Sequence, residues 1–276
     1  MLIAQTHMKM KNYDENSDTS ESQEVNFHEN GFASKFDPDF SKMSRKELSL
    51  WIRNKNYAPD AVTNELFNIW SHLLGGVACV SGAAYMFMKS DSVTKKISFV
   101  LYGISLGIML FGSALYHYFG LRSGISINLY RIFRLVDHQG IFFAIAGSTV
   151  PFALVIVGGA LGWAVTVYMY FILTCGVCMK MVLRHSVSQS IFNWMYLLMG
   201  WSPCILIHTM LQKVGSQVVW FTFWGGVSYS VGLIVFAKQK PNLIPGIFCS
   251  HEIWHVFVLA GVLLHLWAHV KYTFRY

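Results

Sequence analysis

Seven long apolar stretches follow one another along the chain, separated by short polar segments. Each is long enough for an α-helix to cross the hydrocarbon core of a bilayer, which takes about 20 residues. The pattern therefore predicts an all-α membrane protein whose domain over residues 64–276 is a bundle of seven transmembrane helices. The stretches cover residues 66–88, 97–119, 136–156, 160–181, 190–211, 217–237 and 249–270.

The segment before these stretches has a different composition. Residues 1–40 are rich in Asp, Glu, Asn and Ser and lack hydrophobic periodicity, which predicts a disordered tail. Residues 41–63 begin with Ser44 and Glu47 at the spacing of a capping box, followed by spaced apolar residues. We expect a short basic amphipathic helix there, lying on the membrane surface.

Charge is divided unevenly along the chain. Of 21 basic and 14 acidic residues, 8 basic and 10 acidic ones lie in residues 1–63. The basic excess therefore belongs to loops beside the helices, which excludes a nucleic-acid-binding surface as its cause. Because the tail and the loops on its side hold most of the Lys and Arg residues, we expect a cytoplasmic N-terminus and an external or luminal C-terminus.

The cysteines add little chemistry. All five lie in or against apolar stretches, and Cys175 and Cys178 fall in the middle of the fourth predicted helix. We interpret this Cys-x-x-Cys pair as packing residues, with a redox or metal-binding pair as the alternative.

The polar residues within the predicted helices gather at one level of the bundle. Because successive helices run in opposite directions, residues that open an odd helix or close an even one share a membrane face. Polar and ionisable side chains inside a membrane are costly and indicate a functional site. The set comprises Glu65, Asn68 and His72 in the first helix, Ser113 and His117 in the second, Asp137 in the third, and His251, Glu252 and His255 in the seventh.

Three of these residues have the pattern of a metal site. His251 and His255 lie four residues apart, so one helix face offers two imidazoles to one ion. His117, on another helix at the same level, is the candidate third ligand. Three histidines with an open position are typical of catalytic zinc, which lowers the pKa of bound water. Asp137 is the candidate base for that water, and Ser113 the candidate donor to a carbonyl oxygen.

Structural alternatives stay open at this point. The two histidines of the seventh helix could form an interhelical hydrogen-bonding pair, and His117 could be an ordinary interface residue. Asp137 could pair with Arg131 or Arg134, one or two turns earlier. His72 is an alternative metal ligand.

Other polar residues are interpreted as structural. We expect Glu65, Asn68 and His72 to form a supporting network around the site. His138 faces away from its neighbour in the sequence, Asp137. His265 and His269 lie too far along the seventh helix to join the same site.

Residues 251–255, His-Glu-Ile-Trp-His, also match the signature of zinc proteases. The metzincin form requires Gly at position 258 and His at position 261, where this chain has Val258 and Gly261. Other zinc proteases need a later acidic ligand, but no acid follows Glu252. We therefore reject the protease interpretation.

Four motifs occur in order along the chain: Glu65-Leu-Phe-Asn68-Ile-Trp-Ser-His72, Ser113-Ala-Leu-Tyr-His117, Asp137-His-Gln-Gly and Ser250-His251-Glu-Ile-Trp-His255. Together they resemble the progestin and adipoQ receptor family, which includes the adiponectin receptors and is related to the haemolysin III proteins. The resemblance covers residues 50–272. The compact loops and the run Gly200-Trp-Ser-Pro203 look closer to haemolysin III and to the monocyte-to-macrophage differentiation factor branch.

The resemblance implies a seven-helix bundle with a zinc ion held by His117, His251 and His255. It also implies that Asp137 contacts zinc through water, with Ser113 nearby. In this family the residue after the first histidine of the last motif need not be Glu, which implies that Glu252 is incidental. Members are treated as receptors for hormones or lipids, and some look like lipid amide hydrolases that act on ceramide. We therefore expect a lipid or hormone ligand, signalling linked to lipid metabolism, and no nucleic-acid partner.

Three functions from different classes remain. The first is a zinc-binding receptor that hydrolyses a lipid amide, and the second is a receptor or scaffold whose zinc is purely structural. The third is a channel, which the gathering of polar residues at one face disfavours. The membrane is expected to be the plasma membrane or that of the Golgi or endoplasmic reticulum.

Overall fold

The computed structural model describes residues 64–121, 127–183, 187–244 and 247–276. The predicted tail and amphipathic segment lie outside these residues. Within them, seven helices are long and apolar enough to cross a membrane, so the predicted seven-helix fold is confirmed. They are α1 (Glu65–Lys89), α2 (Val93–Leu121), α3 (Ile127–Pro151, continued by a π-helical segment, Phe152–Val157), α4 (Gly159–Leu183), α5 (Gln189–Lys213), α6 (Ser216–Lys238) and α7 (Ser250–Ala268, continued by a π-helical segment, His269–Thr273).

The third helix is the one whose predicted start was most in error. We expected an apolar stretch from residue 136, but α3 begins at Ile127 and includes Arg131 and Arg134. A helix continues for as long as its backbone hydrogen bonds do, whereas an apolar stretch records only the part in contact with hydrocarbon. Both arginines therefore belong to the helix that carries Asp137.

Proline explains the irregular course of α5. The helix runs from Gln189 to Trp201, tightens to a 3-10 segment, Ser202–Leu206, and resumes as Ile207–Lys213. Pro203 has no N–H to donate and its ring crowds the preceding turn, so regular α-helix cannot pass through it unchanged.

The helices pack around a common interior. Helix α1 packs between α2 and α7, α3 packs on α2 and α4, and α6 packs on α7. One buried apolar cluster joins α1, α2 and α7, and includes Phe99, Leu106 and Val262. A second joins α3, α4, α5 and α6. The polar residues predicted at one level of the bundle lie on the helices α1, α2, α3 and α7.

The outer surface is apolar while many polar side chains are inside. Trp70, Val167 and Trp194 are 57%, 65% and 65% exposed, respectively, whereas His117 and His255 are each 1% exposed. Soluble proteins bury apolar side chains and expose polar ones, so this reversal is what a bundle surrounded by lipid requires.

The interpretation of Cys175 and Cys178 as packing residues is wrong. Both are exposed on α4 and neither forms a disulfide. Lipid-facing and helix-facing positions of a membrane helix are both apolar, so hydrophobicity does not indicate which cysteines are covered by protein.

Candidate metal centre

The structure brings together three imidazoles from two helices. Ligand nitrogens of His117 on α2 and of His251 and His255 on α7 all lie within 4.8 Å of one another. The Nε2 atoms of His117 and His251 are 3.3 Å apart. Such a cluster is close enough to hold one metal ion. The ring centroids are 5.1 Å apart for His117 and His251, 5.0 Å for His117 and His255, and 4.9 Å for His251 and His255.

The carboxylate of Glu65 binds the ring of His117 at Nδ1, and Nε2 of the same ring lies near His251. Oε2 of Glu65, in the first turn of α1, lies 2.6 Å from Nδ1 of His117. Because a carboxylate only accepts hydrogen bonds, Nδ1 carries the proton and Nε2 is left with a lone pair. Nε2 is the nitrogen that faces the other histidines, so Glu65 orients this ring towards the cluster.

A hydroxyl group has the same effect on His255. Ser71 donates its one hydroxyl proton to the backbone carbonyl of Asn68, at 3.1 Å. Its oxygen lies 3.3 Å from Nδ1 of His255 and can only accept from that nitrogen. The proton of the neutral ring is therefore on Nδ1, and Nε2 is again a lone pair. Ser71 was missed in the sequence, although it lies within the first motif.

Glu252 is a structural residue, so its interpretation as incidental is corrected. It is fully buried, and its carboxylate accepts hydrogen bonds from the backbone N–H groups of Asn64 and Cys249, both at 2.8 Å. The side-chain amide of Asn68 donates a third, at 3.1 Å. The bond from Cys249 caps the start of α7, and the others tie α7 to α1. Glu252 therefore positions the helix turn that carries His251.

His72 lies beside the cluster without joining it. Its ring stacks on that of His255, with centroids 3.8 Å apart and an interplanar angle of 18°. Both of its ring nitrogens are buried and have no hydrogen-bond partner among the residues that the structure describes. Its position supports a packing role against His255, and the trio of close ligand atoms does not include it.

A cavity of about 370 Å³ opens from the cluster into the interior of the bundle. Ser113 and Asp137 both line it, together with His251 and His255. The structure therefore places the two residues predicted to act in catalysis on the same cavity as two predicted ligands. Arg134 lines the cavity as well, so the alternative of an ion pair with Asp137 stays open.

The other histidines of α7 are separate from the cluster. His265 lies 3.2 Å through Nε2 from the carbonyl of Thr222, and His269 lies 3.2 Å through Nε2 from the carbonyl of Ser148. Both bind other helices by hydrogen bonds, as their distance along the helix predicts. His138, predicted to be structural, lines the cavity.

Comparison with known proteins gives one consistent result. The profile of the family described as Haemolysin-III related matches residues 61–266, a range that contains the whole histidine cluster. The chain is 27% identical to hemolysin-3 of Bacillus cereus over 204 residues, which is 72% of this chain and 87% of that protein. It is 26% identical to the monocyte to macrophage differentiation factor of Homo sapiens over 222 residues, 80% of this chain and 89% of that protein.

A third relative is the adiponectin receptor protein of Drosophila melanogaster. Identity is 27% over 235 residues, which cover 74% of this chain and 49% of that protein. The three relatives are the kinds of protein that the four sequence motifs resemble.

Proposed function

The chain belongs to the haemolysin-III related family, and from this premise we propose that it is a seven-helix zinc-binding receptor of the progestin and adipoQ receptor type. We propose further that its signalling is linked to lipid metabolism through zinc-dependent hydrolysis of a lipid amide such as ceramide. The cluster of His117, His251 and His255 supplies the metal ligands. The observation that carries the proposal is that Nε2 of His117, left with a lone pair by the bond from Nδ1 to Glu65, lies 3.3 Å from Nε2 of His251.

The donor set suits a zinc ion. Glu65 and Ser71 each accept the Nδ1 proton of one histidine, which leaves the lone pair of the neutral ring on Nε2 of His117 and of His255. A carboxylate behind a ligating histidine is the usual partner at zinc sites. Two nitrogens bound tetrahedrally at the usual Zn–N distance are about 3.3–3.4 Å apart. The 3.3 Å between Nε2 of His117 and Nε2 of His251 agrees with that value.

The cavity supports a lipid as the substrate. Its volume of about 370 Å³ lies within the usual range of ligand pockets. Polar residues line the end at the histidine cluster, and apolar side chains line most of the remainder. A lipid with a polar head at the cluster and an acyl chain along the cavity would therefore bury both parts in matching surroundings.

The residues of this end have distinct chemical roles in the proposed reaction. Zinc bound there would act as a Lewis acid and activate water at neutral pH. Asp137 orients the attacking water and accepts its proton as the water oxygen bonds to the carbonyl carbon. The proton then passes to the nitrogen as the C–N bond breaks, which gives a fatty acid and an amine. Ser113 donates a hydrogen bond to the carbonyl oxygen as it gains negative charge.

A second candidate function is a receptor or scaffold in which zinc only ties α2 to α7. The buried contacts around Glu65 and Glu252 support it, because they join α1 to α2 and α1 to α7, and a structural metal would likewise hold helices together. The two functions differ in one result. With a structural metal, chelation lowers thermal stability while ceramide hydrolysis is absent from the start.

The cellular setting completes the proposal. Seven membrane-spanning helices make the chain an integral membrane protein. We place its N-terminus in the cytoplasm, so the metal centre lies near the cytoplasmic face of the plasma membrane or of the Golgi or endoplasmic reticulum. The proposed partners are membrane lipids and a lipid or hormone ligand.

The deciding experiment combines metal analysis with lipid turnover on the purified protein in lipid nanodiscs. We expect about one zinc per chain and release of fatty acid from ceramide. Asp137→Ala is expected to keep the zinc and lose the turnover. Zinc-loaded protein whose lipid turnover does not change with Asp137→Ala would establish a structural metal instead.

A further inference from the structure

The cavity that opens from the histidine cluster reaches a second set of polar side chains. His265 of α7 lines it about 15 Å from His255 along the helix axis, since ten residues rise by 1.5 Å each. Tyr229 of α6 and Ser148 of α3 line it as well. We call these three residues the distal polar group. The lining between the two polar ends is apolar and includes Ala144, Ile145, Leu233 and Val258.

His265 presents a hydrogen-bond acceptor to this cavity. Its Nε2 lies 3.2 Å from the backbone carbonyl of Thr222, which can only accept. Nε2 therefore carries the proton of the neutral ring, and Nδ1 is an acceptor. Nδ1 is buried and has no hydrogen-bond partner in the part of the chain that the structure describes. The residue is only 9% exposed.

Two hydroxyl groups in the distal polar group are in the same state. The hydroxyl oxygens of Tyr229 and Ser148 are buried and lie close to each other, but no hydrogen bond of normal geometry joins them to each other or to another group within the described ranges. Burying one such group without a partner is costly, and native proteins satisfy nearly all of them. Three on three different helices, all lining one cavity, indicate that a polar group from outside the chain is bound between them.

We propose that the distal polar group is a second subsite, which binds a hydroxyl group at the far end of a lipid chain. A hydroxyl donates one hydrogen bond and accepts others, so it can donate to Nδ1 of His265 and accept from Tyr229 or Ser148. A carboxylate has no proton for Nδ1, and an ammonium would be a buried charge without a counter-ion. A terminal methyl group would leave Nδ1 of His265 unpaired, and the hydroxyls of Tyr229 and Ser148 with only each other as partners.

This proposal deepens the proposed function and rests on it, because the other end of the lipid lies at the metal centre. The distance between the metal centre and the distal polar group then determines which lipids can bind at both sites. A chain whose two polar groups are about 15 Å apart reaches both sites, whereas a shorter or longer one reaches only one of them. The lipid class is therefore an amphiphile with a hydroxyl at the terminus remote from its head group.

The test uses purified full-length protein loaded with zinc, in detergent. Affinities are measured for ω-hydroxy fatty acids of increasing chain length, each beside the fatty acid that lacks the hydroxyl. We expect the hydroxylated acid to bind about tenfold more tightly at one chain length, which is the contribution of one or two hydrogen bonds. The double variant Ser148→Ala/Tyr229→Phe should lower this preference, because it removes the two hydroxyls that donate to the ligand and leaves only the acceptor Nδ1 of His265.

Thr149→Val is the matched control. Its hydroxyl lines the same cavity beside Ser148 but already donates to the carbonyl of Ile145, at 3.0 Å. The preference should persist in this variant. Loss of the preference in Thr149→Val as well as in the double variant would overturn the assignment of the subsite to these hydroxyls.

The two proposals fail in different ways. Equal affinities for each pair at every chain length, including no measurable binding of either acid, would overturn the subsite and assign the three polar atoms to ordered water. The proposed metal centre is tested separately by His251→Ala, which should weaken the binding of both acids of a pair alike. A hydroxyl preference that survives while His251→Ala leaves both affinities unchanged would support the subsite and contradict ligand binding at the metal.

Discussion

Oε2 of Glu65 lies 2.6 Å from Nδ1 of His117, so the start of α1 is hydrogen-bonded to a ring on α2. The ring belongs to one helix and its orientation is set by another. The imidazole of His255 is held in the same manner by Ser71, also from α1. Helix α1 contributes no member of the histidine cluster, yet it orients two of the three.

Glu65→Gln tests this orientation directly. The amide can accept from Nδ1 but carries no charge, so the ring becomes a weaker ligand. We expect the affinity for zinc to fall by about 10–100-fold, the usual effect of losing such a partner. Competition with a chelator of known affinity measures the change. Asp91→Asn, at an exposed residue that pairs with Lys95 at 3.1 Å, is the control and should bind zinc like the wild type.

Removal of two ligands should abolish metal binding. The double variant His251→Ala/His255→Ala retains a single imidazole of the cluster, which cannot hold zinc alone. Elemental analysis of the purified protein should show about one zinc per chain in the wild type and none in the variant. His208→Ala, which removes an exposed histidine of α5, should keep its zinc. Full zinc content in the double variant would place the metal elsewhere.

Ser113→Ala separates binding from chemistry. Its hydroxyl is proposed to act on the carbonyl oxygen and not on the metal, so zinc content should be unchanged. We expect the rate constant of ceramide hydrolysis to fall by about 10²–10³, the effect of removing one donor to an oxyanion. Fatty acid release over time measures it. An unaltered rate would remove Ser113 from the proposed mechanism.

Glu252→Gln should reduce stability without removing the metal. The buried carboxylate accepts three hydrogen bonds through both of its oxygens, whereas an amide has one accepting oxygen and its NH2 group would face at least one of these donors. We expect the free energy of unfolding to fall by about 1.5–3 kcal/mol, which corresponds to one hydrogen bond to a charged group. Thermal unfolding of both proteins in the same detergent provides the comparison. A variant as stable as the wild type would show that the tie between α1 and α7 contributes nothing measurable.

A pair of glycine variants tests the junction of α3 and α4. Gly158 adopts a φ of 64°, which turns the chain, and a Cβ on Gly162 would meet the carbonyl oxygen of Ala153. Gly162→Ala should therefore destabilise the protein by about 1–3 kcal/mol. Gly200→Ala is the control, because no atom lies within 4 Å of its added Cβ and alanine favours helix. Equal thermal stability of the two variants would contradict the close packing of α4 on α3.

Much of the architecture could be predicted because it depends on local sequence. Helix number follows from the lengths of the apolar stretches, and the spacing of His251 and His255 places both rings on one helix face. His117 could be assigned to the cluster because successive helices run in opposite directions, which places the end of α2 at the same membrane face as the start of α7.

The supporting contacts could not be predicted in the same way. Ser71 orients His255 across 184 residues of sequence, and Glu252 binds Asn68 across the same separation. No local pattern distinguishes a serine facing a neighbouring helix from one facing lipid. The start of α3 at Ile127 was also missed, because the helix includes charged residues, Arg131 and Arg134, that precede the apolar stretch.

Helix α7 carries two of the three clustered imidazoles, those of His251 and His255. It also carries Glu252, whose carboxylate ties α7 to α1. A nascent chain that has inserted only six helices therefore holds only the imidazole of His117. The side-chain amide of Asn68 then has no Glu252 carboxylate to which it can donate. Binding of the proposed metal ion therefore requires the synthesis and insertion of the seventh helix. A chain terminated by a premature stop before Ser250 would consequently be a membrane protein that lacks the proposed metal site.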